Sequence, residues 1–576
     1  MSRSVQYLPA LLISLILFQC TKPASPKASK VLLNGVVATV DSSNSMVEAI
    51  AIKDDRILAL GSTVEIQKYI GPETEVLDVE GAFVMPGFIE SHGHFSGLGS
   101  SLINLNFMHT KSWDEIVAMV DSAVQQAQPG EWIIGRGWHQ EKWTEPLDRS
   151  VLGYPYHDRL SAISPNNPVL LSHASGHSVF ANKKAMDLAG INHETPDPFG
   201  GEIVRDASGE AIGVFEETAM SLIRSQYQDY LKGVSTEEKY STWLKGIRLA
   251  EKDCLSKGIT SFEDAGTSVR ELQDYIRLAE KQELNLRLWV MMRDEMSRMQ
   301  AVADQYPKIN VGNRHFLTIR AVKAYIDGAL GSFGAWLLEP YADKAGFVGQ
   351  NTTKMEELEQ NANLCINHNL QLCIHAIGDR ANHQVIDLYE KTFQAHPDQH
   401  DLRWRIEHAQ HIDTADIPRF HQLGIIASMQ GIHCTSDAPF VEKRLGTFRA
   451  KYESYPWRSL WDQGAIIANG TDAPVEDADP IQCYYATVTR KRADNGFTFF
   501  PEQCLTRQEA LQTYTINGAY AAFEEDLKGS LVPGKLADIV VLDTNLLTCP
   551  EEAILTTKVL YTLVGGEVKY SANGKQ

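Results

Sequence analysis

The chain has 576 residues, which is more than a single ordinary domain of roughly 100–200 residues needs. Hydrophobic residues make up 43 % and charged residues 22 %, a composition typical of globular proteins that argues against a disordered or fibrous chain. The formal net charge of −20 repels phosphate backbones, so nucleic acid is not an expected partner.

The N-terminus has the pattern of an export signal. The apolar run Leu8 to Phe18 follows a basic residue and is shorter than the roughly 20 residues a membrane span needs. Cys20 follows at once, as in the lipobox of bacterial lipoproteins, although Gln19 stands where Gly, Ala or Ser is usual. We predict a lipoprotein-type signal over 1–20, a tether over 21–29, and a bacterial cell-envelope lipoprotein, periplasmic or anchored to the outer membrane. A secreted protein cleaved elsewhere is the alternative.

The two flanks of the chain share a β-rich texture. Lys30–Val40 and Val47–Leu60 are short β-type stretches that are separated by turns, and the region near the C-terminus repeats this texture. Two half-sheets at opposite ends of a chain can pair with each other. We therefore predict one composite β-sandwich domain, with residues 30–82 as its N-terminal half and residues 526–576 as its C-terminal half.

Between the flanks, short apolar runs alternate with helical stretches, which is typical of parallel strands covered on both faces. Eight runs are candidate strands: Phe83–Ile89, Ile259–Phe262, Leu286–Met292, Phe316–Tyr325, Leu370–Ile374, Leu402–Ile406, Ile425–Met429 and Ala465–Ala468. Eight such units close a (β/α)8 TIM barrel, which we predict over 83–525. The gap between the first two strands is far longer than one helix needs. We therefore expect an inserted subdomain at about 105–250, over the catalytic end of the barrel.

Metal-ligand residues follow the ends of several predicted strands. His92 and His94 come directly after the first strand, and residues i and i+2 of an extended segment face the same way, so both imidazoles can reach one metal ion. The fifth, sixth and eighth strands are followed by further ligand types, namely His375, His408 and Asp472. Strand four contains Lys323, which is costly in an apolar strand unless it is paired or chemically changed. Because barrel strands deliver catalytic residues from their C-terminal ends, these positions predict a metal centre.

Nine stretches together resemble the amidohydrolase superfamily, and within it the YtcJ-like branch (amidohydrolase family 3). In chain order they are VMPGFIESHGH, SGHSVFANKKAMDLAGI, GVFEETAM, VKAYIDGALGS, CIHAIGDRAN, RIEHAQ, ASMQGIHCTSD, NGTDAPVEDADP and GSLVPGKLADIVVLD. They span nearly the whole chain after the signal. The resemblance implies a metal-dependent hydrolase that acts on carbon–nitrogen bonds other than peptide bonds.

The resemblance also implies a ligand set for two divalent metal ions, the first held by His92, His94 and Asp472 and the second by His375 and His408. Lys323, N6-carboxylated by CO2, would bridge the two ions. A single ion beside an unmodified Lys323 is the alternative. Zinc is the expected metal because nitrogen and oxygen ligands with open positions suit it, and Mn, Fe and Co are the other candidates.

The expected reaction is attack by a metal-activated water on an amide, cyclic amide or formamide-like carbonyl. Asp472 would act as the general acid and base, taking the proton of the water and returning it to the leaving nitrogen. His433, just after strand seven, is placed to stabilise the oxyanion. Glu217, His177 and His173 are secondary candidates for substrate binding, and a structural role is the alternative for each.

Two other classes of function stay open at this point. The same barrel and ligands also suit a lactone or ester hydrolase, a deaminase or an isomerase, because specificity lies in the loops and not in the fold. The second class is a non-catalytic solute-binding lipoprotein. Such a protein would be expected to lack some of the metal-ligand residues, but all six are present. The expected partners are a small-molecule substrate, the membrane only through a lipid anchor on Cys20, and a second copy of the chain, since dimers are common for such barrels.

Overall fold

The computed structural model describes residues 26–574. The predicted export signal, Cys20 and residues 21–25 of the predicted tether lie outside the described residues. Within the described range, no helix combines the length and the apolar character that a membrane crossing requires.

The first described region forms short strands with one short helix. Its elements are β1 (Lys30–Leu33), β2 (Val36–Ala38), β3 (Met46–Val47), β4 (Ala49–Lys53), β5 (Arg56–Gly61), α1 (Thr63–Ile66), a 3₁₀ turn (Gln67–Tyr69), β6 (Glu75–Asp78) and β7 (Phe83–Pro86). Four of the strands form one sheet in the order β5-β4-β1-β6. β1 is buried along its whole length because its alternating side chains enter two cores: Leu32 packs between the two sheets, and Val31 and Leu33 pack in a second cluster with Ile66 of α1.

The first barrel strand differs from its prediction. We predicted a single strand over Phe83–Ile89, but the structure has β7 and a separate strand β8 (Phe88–Gly93) on either side of Gly87. A Cβ at Gly87 would lie 2.2 Å from a methyl group of Thr260, so this close approach requires a glycine. The single-strand prediction was wrong because both strands are apolar, and a continuous apolar run does not reveal a change of sheet.

The segment between β8 and the second barrel strand folds around its own sheet. Its elements are α2 (Phe95–Ile103), β9 (Leu105–Asn106), α3 (Trp113–Val124), β10 (Ile133–Trp138), a 3₁₀ turn (Gln140–Lys142), β11 (Ser150–Val151), β12 (Tyr154–Pro155), α4 (Asp158–Ile163), β13 (Val169–His173), β14 (Ser178–Ala181), α5 (Lys183–Leu188), β15 (Gly201–Arg205), β16 (Ala211–Glu217), α6 (Met220–Lys232) and α7 (Thr236–Ser256). The main sheet has the order β15-β16-β14-β13-β10-β9. Trp138, Phe180 and Val214 are buried in a core of its own.

The remaining barrel strands alternate with helices. The elements are β17 (Ile259–Thr267), α8 (Val269–Glu280), β18 (Arg287–Met292), α9 (Met296–Val302), 3₁₀ turns (Ala303–Gln305 and Val311–Asn313), β19 (Leu317–Tyr325), α10 (Met355–His368), β20 (Gln371–Ala376), α11 (Asp379–Ala395), β21 (Arg405–His408), α12 (Ile417–Leu423), β22 (Ile426–Met429), α13 (Gly431–Leu445), α14 (Thr447–Tyr452), α15 (Trp457–Asp462), β23 (Ile467–Asn469), α16 (Pro480–Thr489), a 3₁₀ turn (Pro501–Gln503), α17 (Arg507–Thr513) and α18 (Ile516–Ala521). Several helices begin at a residue whose side chain accepts a backbone N–H of the first turn, as Ser268 does for α8.

The eight barrel strands are parallel and adjacent in chain order, from β8 to β23. The chain just after β23 reaches back to β8, where the Asp472 N–H donates to the His92 carbonyl at 2.8 Å. The predicted (β/α)8 barrel is confirmed, and each predicted strand overlaps an observed one. All eight C-terminal ends therefore open on one face, which the insertion borders.

The last strands complete the second sheet of the β-sandwich. They are β24 (Ile539–Leu542), β25 (Val559–Val564) and β26 (Glu567–Ser571), with α19 (Glu551–Ile554) between the first two. The sheet order is β26-β25-β24-β7-β2-β3, and Ile539 lies opposite Pro86 in an antiparallel pair. Leu32 and Ile50 of one sheet share a buried core with Val84 and Leu563 of the other. The predicted composite domain from both ends of the chain is confirmed.

Candidate metal centre

The predicted ligands meet at the C-terminal ends of the barrel strands. His92 lies on β8 and His408 ends β21, with their ring centres 4.7 Å apart. His375 lies on β20, and its ring centre is 4.4 Å from that of His408. The Asp472 Oδ1 atom lies 3.2 Å from His94 Nε2 and 3.5 Å from His92 Nε2. One cluster therefore contains all five predicted histidine and aspartate ligands.

Two sets of donor atoms in this cluster are close enough to share an ion. The donor atoms of His92, His94 and Asp472 lie within 4.8 Å of one another, and so do those of His408, His433 and Asp472. The first set is the predicted ligand set for the first ion. The second set contains His433, whereas the prediction for the second ion had His375. Asp472 belongs to both sets.

The cluster contains buried polar atoms that have no hydrogen-bond partner among the described residues. They are His92 Nε2, His375 Nε2, His433 Nε2, Asp472 Oδ1 and Lys323 Nζ. Each unpartnered buried polar group costs about 1–3 kcal/mol. Imidazole nitrogen and carboxylate oxygen are ligands that divalent transition metals prefer. The donor set therefore fits a metal ion, which would satisfy several of these atoms at once.

His92 is oriented by a buried carboxylate. Its Nδ1 contacts Glu407 Oε2, so Nδ1–H donates and Nε2 presents its lone pair to the cluster. Burial disfavours the Glu407 carboxylate, but the guanidinium of Arg405, 2.8 Å away, and the His92 ring keep the pKa of Glu407 below its ordinary value. Glu407 is thus an ionised acceptor, as the metal-binding tautomer of His92 requires.

His408 is oriented by an amide. Its Nδ1 donates to Gln430 Oε1 at 2.8 Å, and Gln430 Nε2 in turn donates to the Ser428 carbonyl at 3.1 Å. This arrangement leaves the Nε2 lone pair of His408 free. Burial, followed by the neighbouring His92, lowers the pKa of His408 well below its ordinary value, so the ring is neutral. A neutral imidazole is the form that binds metals.

His433 has the opposite tautomer. Gln410 Nε2 donates to His433 Nδ1 at 3.0 Å, which leaves the proton of a neutral ring on Nε2. That Nε2 lies 4.0 Å from Asp472 Oδ2. His433 is therefore arranged as a hydrogen-bond donor facing the cluster, whereas His92 and His408 are arranged as ligands.

Asp472 is an ionised carboxylate within the cluster. Burial by itself raises its pKa, but the adjacent imidazole rings of His94, His92 and His408 lower it well below the ordinary value. The backbone of Asp472 is left-handed, with φ of 59°, and that of His408 is left-handed as well. Such conformations cost about 1–3 kcal/mol each and are typical of functional sites.

Two of the three secondary candidates lie beside the cluster. His177 Nδ1 hydrogen-bonds Glu217 Oε2 at 2.8 Å, and the ring centre of His177 is 5.1 Å from that of His375. His173 is buried within the inserted segment, where its two ring nitrogens contact Ser175 and Gln140 at 2.8 and 3.1 Å. His177 and Glu217 are thus placed to contact a small molecule that binds at the metal centre. Both ring nitrogens of His173 already have hydrogen-bond partners.

The Glu217 carboxylate fits against a glycine of the barrel loop. A Cβ at Gly328 would lie 2.0 Å from Glu217 Oε1, and the backbone there has no positive φ that would strain a side chain by itself. We expect Gly328→Ala to displace Glu217 and to lower the free energy of unfolding by about 1–3 kcal/mol, measured by urea denaturation. Gly233→Ala is the matched control, because its Cβ would make only one ordinary contact. Equal stability of the two variants would contradict this packing.

Two cavities meet at the metal centre, and both are lined by His177, His375, His408 and Asp472. The smaller has a volume of about 540 Å³ and reaches His433, whereas the larger has a volume of about 2520 Å³, and both volumes include space open to solvent. The inserted segment and the barrel loops both contribute to their walls. A small molecule entering the larger cavity therefore reaches the ligand cluster directly.

Sequence reasoning missed the residues that orient the ligands. Arg405 pairs with Glu407 and also contacts Glu263, and all three side chains are fully buried. Gln430 and Gln410 were missed as well. The available signal was the presence of Arg405 and Glu407 inside an apolar strand, because charges in such a strand must have partners.

The comparisons with known proteins agree with this geometry. A model of the amidohydrolase family matches residues 75–570. Three relatives are similar along nearly the whole chain: the protein LONG AFTER FAR-RED 3 of Arabidopsis thaliana (35 % identity, 98 % of this chain and 96 % of that protein), YtcJ of Bacillus subtilis, named as an amidohydrolase (29 %, 93 % and 98 %), and the N-substituted formamide deformylase of Arthrobacter pascens (29 %, 94 % and 98 %). These matches confirm the predicted resemblance to the YtcJ-like branch.

A solved structure supports the fold. The crystal structure of a metal-dependent hydrolase from Pyrococcus horikoshii OT3 is 26 % identical in sequence, with a TM-score of 0.71. The alignment covers 91 % of this chain and 99 % of that one, so it extends over the barrel, the insertion and the β-sandwich together.

Proposed function

We propose that this chain, which belongs to the amidohydrolase family, hydrolyses the carbon–nitrogen bond of an amide, a cyclic amide or a formamide-like group. The family and the solved structure support the general class, a metal-dependent hydrolase, without specifying the bond. The observation that carries the proposal is the set of buried, unpartnered ring nitrogens and carboxylate oxygen at the open end of the barrel. A solute-binding protein has no need to keep such atoms without partners.

The residues of the cluster would hold one or two divalent ions. His92, His94 and Asp472 would hold the first, and His375 and His408 the second. Zinc is our proposed metal, and N6-carboxylation of Lys323 would turn its unpartnered buried amine into an anionic oxygen ligand between the two ions. When bound, such an ion lowers the pKa of water and polarises a carbonyl group.

Asp472 and His433 would handle the proton and the developing negative charge. The low pKa of Asp472 keeps its carboxylate ionised, so it can accept a proton from the attacking water and deliver it to the leaving nitrogen. His433 presents its Nε2–H toward the same carboxylate from 4.0 Å, close to where a carbonyl oxygen would develop charge. Both residues line the smaller cavity.

One relative supports the choice of bond. The Arthrobacter pascens protein that matches 94 % of this chain is named for removing formyl groups from N-substituted formamides. A formamide is a small amide whose carbonyl carbon carries only hydrogen on its acyl side, so it needs little room beside the cluster. We therefore place N-formyl compounds first among the substrates to test.

The proposal is tested by metal analysis and a substrate panel on the same purified protein. The panel contains N-formyl amines, N-acyl amino acids, cyclic ureides and lactones, with product detection by mass spectrometry. We expect one or two ions per chain, turnover of at least one amide-type substrate, loss of turnover after dialysis against a chelator, and recovery on adding zinc. Turnover of lactones alone would assign another bond, and a metal-free protein without turnover would favour the solute-binding alternative.

A further inference from the structure

Three arginines line the larger cavity beside the metal centre. Arg136 lies on β10 and Arg224 on α6, so both belong to the inserted segment, whereas Arg293 directly follows barrel strand β18. The guanidinium of Arg293 rests 4.3 Å from the ring centre of Tyr325, and that ring stacks 5.0 Å from His375. Arg293 therefore lies beside the aromatic ring that packs on His375, a predicted metal ligand.

These arginines have no acidic partner in the described part of the chain. No carboxylate oxygen lies within 4.0 Å of their guanidinium nitrogens. Arg136 Nη2 donates to the Ala174 carbonyl at 3.1 Å, but its Nη1 is buried without any partner. By contrast, the buried Arg287 pairs directly with Asp538 at 2.6 Å.

Three acidic residues that line the same cavity have partners other than these arginines. Glu217 hydrogen-bonds His177, and Asp294 lies 3.3 Å from Arg298, outside the arginine group. Asp327 accepts backbone N–H groups at 2.8–3.0 Å from the loop that follows β20. None of these carboxylates therefore forms a direct ion pair with the three arginines.

Electrostatics agree with this geometry. Burial lowers the pKa of Arg136 to about 10, and burial followed by the charge of Arg293 lowers the pKa of Arg224. In both cases the cost of burial outweighs the stabilisation that nearby carboxylates such as Asp472 and Glu217 provide. An anionic ligand would add to that stabilisation, because guanidinium groups bind oxyanions through paired charge-assisted hydrogen bonds.

We infer that the substrate carries a carboxylate, which Arg136 and Arg224 bind while Arg293 attracts it at the cavity rim. The inference rests on the proposed function in one respect, since it places the scissile amide at the metal centre and the carboxylate in the larger cavity. The substrate class is then that of N-formyl or N-acyl amino acids rather than neutral amides. The inserted segment supplies both binding arginines, so it selects the substrate.

A matched set of substrates tests the inference. N-formylphenylalanine, its methyl ester and N-(2-phenylethyl)formamide share the scissile bond and the aromatic group, and only the first has a carboxylate. We expect kcat/KM to be highest for the acid. Arg224→Gln should lower kcat/KM for the acid by about 10- to 100-fold, mainly through KM, and leave the two neutral compounds within about twofold. Arg136→Gln is the second variant. Arg277→Gln is the control, because it removes the same charge from an exposed site outside the cavity.

Calorimetric binding separates this inference from the proposed function, since it needs no turnover. The probes are 3-phenylpropanoate, 3-phenylpropanamide and 2-phenylethylphosphonate. Selective binding of the carboxylate that Arg224→Gln abolishes would support the inference, even if no amide in the panel were hydrolysed. Equal losses on charged and neutral substrates would overturn it while leaving the hydrolase proposal intact. If the phosphonate binds more tightly than the carboxylate and this binding depends on the arginines, the inferred carboxylate is wrong and the substrate carries a phosphate group instead.

Discussion

Asp472→Asn is expected to lower kcat by roughly 10²- to 10⁴-fold, the range that a general acid–base contributes. Asn has nearly the shape of Asp but accepts no proton at neutral pH. Oδ1 of Asp472 has no hydrogen-bond partner in the described structure, and His94 and His92 lie 3.2 and 3.5 Å from it, so an amide oxygen in its place keeps a ligand position. The variant should therefore retain much of its metal while losing turnover.

The measurement is kcat on the best amide substrate beside metal content per chain. Asp477→Asn is the matched control, since Asp477 lies five positions further along the same loop and its side chain is 41 % exposed. That variant should keep wild-type activity. Wild-type turnover by Asp472→Asn would remove Asp472 from the proposed proton transfers. Loss of metal and activity together would limit its role to that of a ligand.

Arg405→Met is expected to lower the free energy of unfolding by about 3–5 kcal/mol, the usual cost of removing one partner from a buried ion pair. Arg405, Glu263 and Glu407 have no exposed side-chain surface, so the substitution leaves two buried carboxylates without their cation. Methionine is of similar length and apolar, which keeps packing losses small. Urea denaturation at a fixed metal concentration gives the difference.

The pH dependence of this loss gives a second readout. In the wild-type protein, burial raises the pKa of Glu263 to about 7 although the Arg405 guanidinium opposes the shift. Without Arg405, the folded-state pKa of Glu263 rises further above the unfolded value and that of Glu407 rises from its lowered position, so protonation stabilises the folded variant and this gain disappears as pH rises. The deficit should be larger at pH 8 than at pH 5. Arg277→Gln, at an exposed pair, should cost less than about 1 kcal/mol at either pH.

A pH-independent deficit below about 1 kcal/mol for Arg405→Met would contradict the buried network. A large deficit that is independent of pH would instead point to lost packing. The variant should also bind metal less tightly, because Glu407 orients His92 and such orienting partners contribute roughly 10- to 100-fold to affinity.

The strand pattern predicted most of the fold because buried parallel strands are short and continuously apolar, and eight such runs are visible in the sequence. The exception was the first run. The sequence contains no signal that Phe83–Pro86 pairs with β24 while Phe88–Gly93 pairs with β17, since strand partners depend on contacts between distant segments. Gly87 was the only local indication that the apolar run is broken into two strands.

The candidate site was predictable where chemistry and position coincide. The histidines and Asp472 are recognisable because they follow barrel strands, and the structure places them in one cluster. Arg405 and Gln430 were not recognisable as orienting groups, because a hydrogen-bond partner is fixed by the fold and not by spacing. The same holds for Arg136 and Arg224, whose lack of an acidic partner is visible only in three dimensions.

The pairing of β7 with β24 also has a consequence for biogenesis. β7 leads within two residues into β8, which carries His92, yet its sheet partner is synthesised only after nearly the whole remaining chain has emerged. The first ligand-bearing strand therefore waits for the C-terminus before its anchoring sheet is complete. In a growing chain, the sheet that holds β7 beside β8 therefore gains β24 only after every predicted metal ligand has been synthesised.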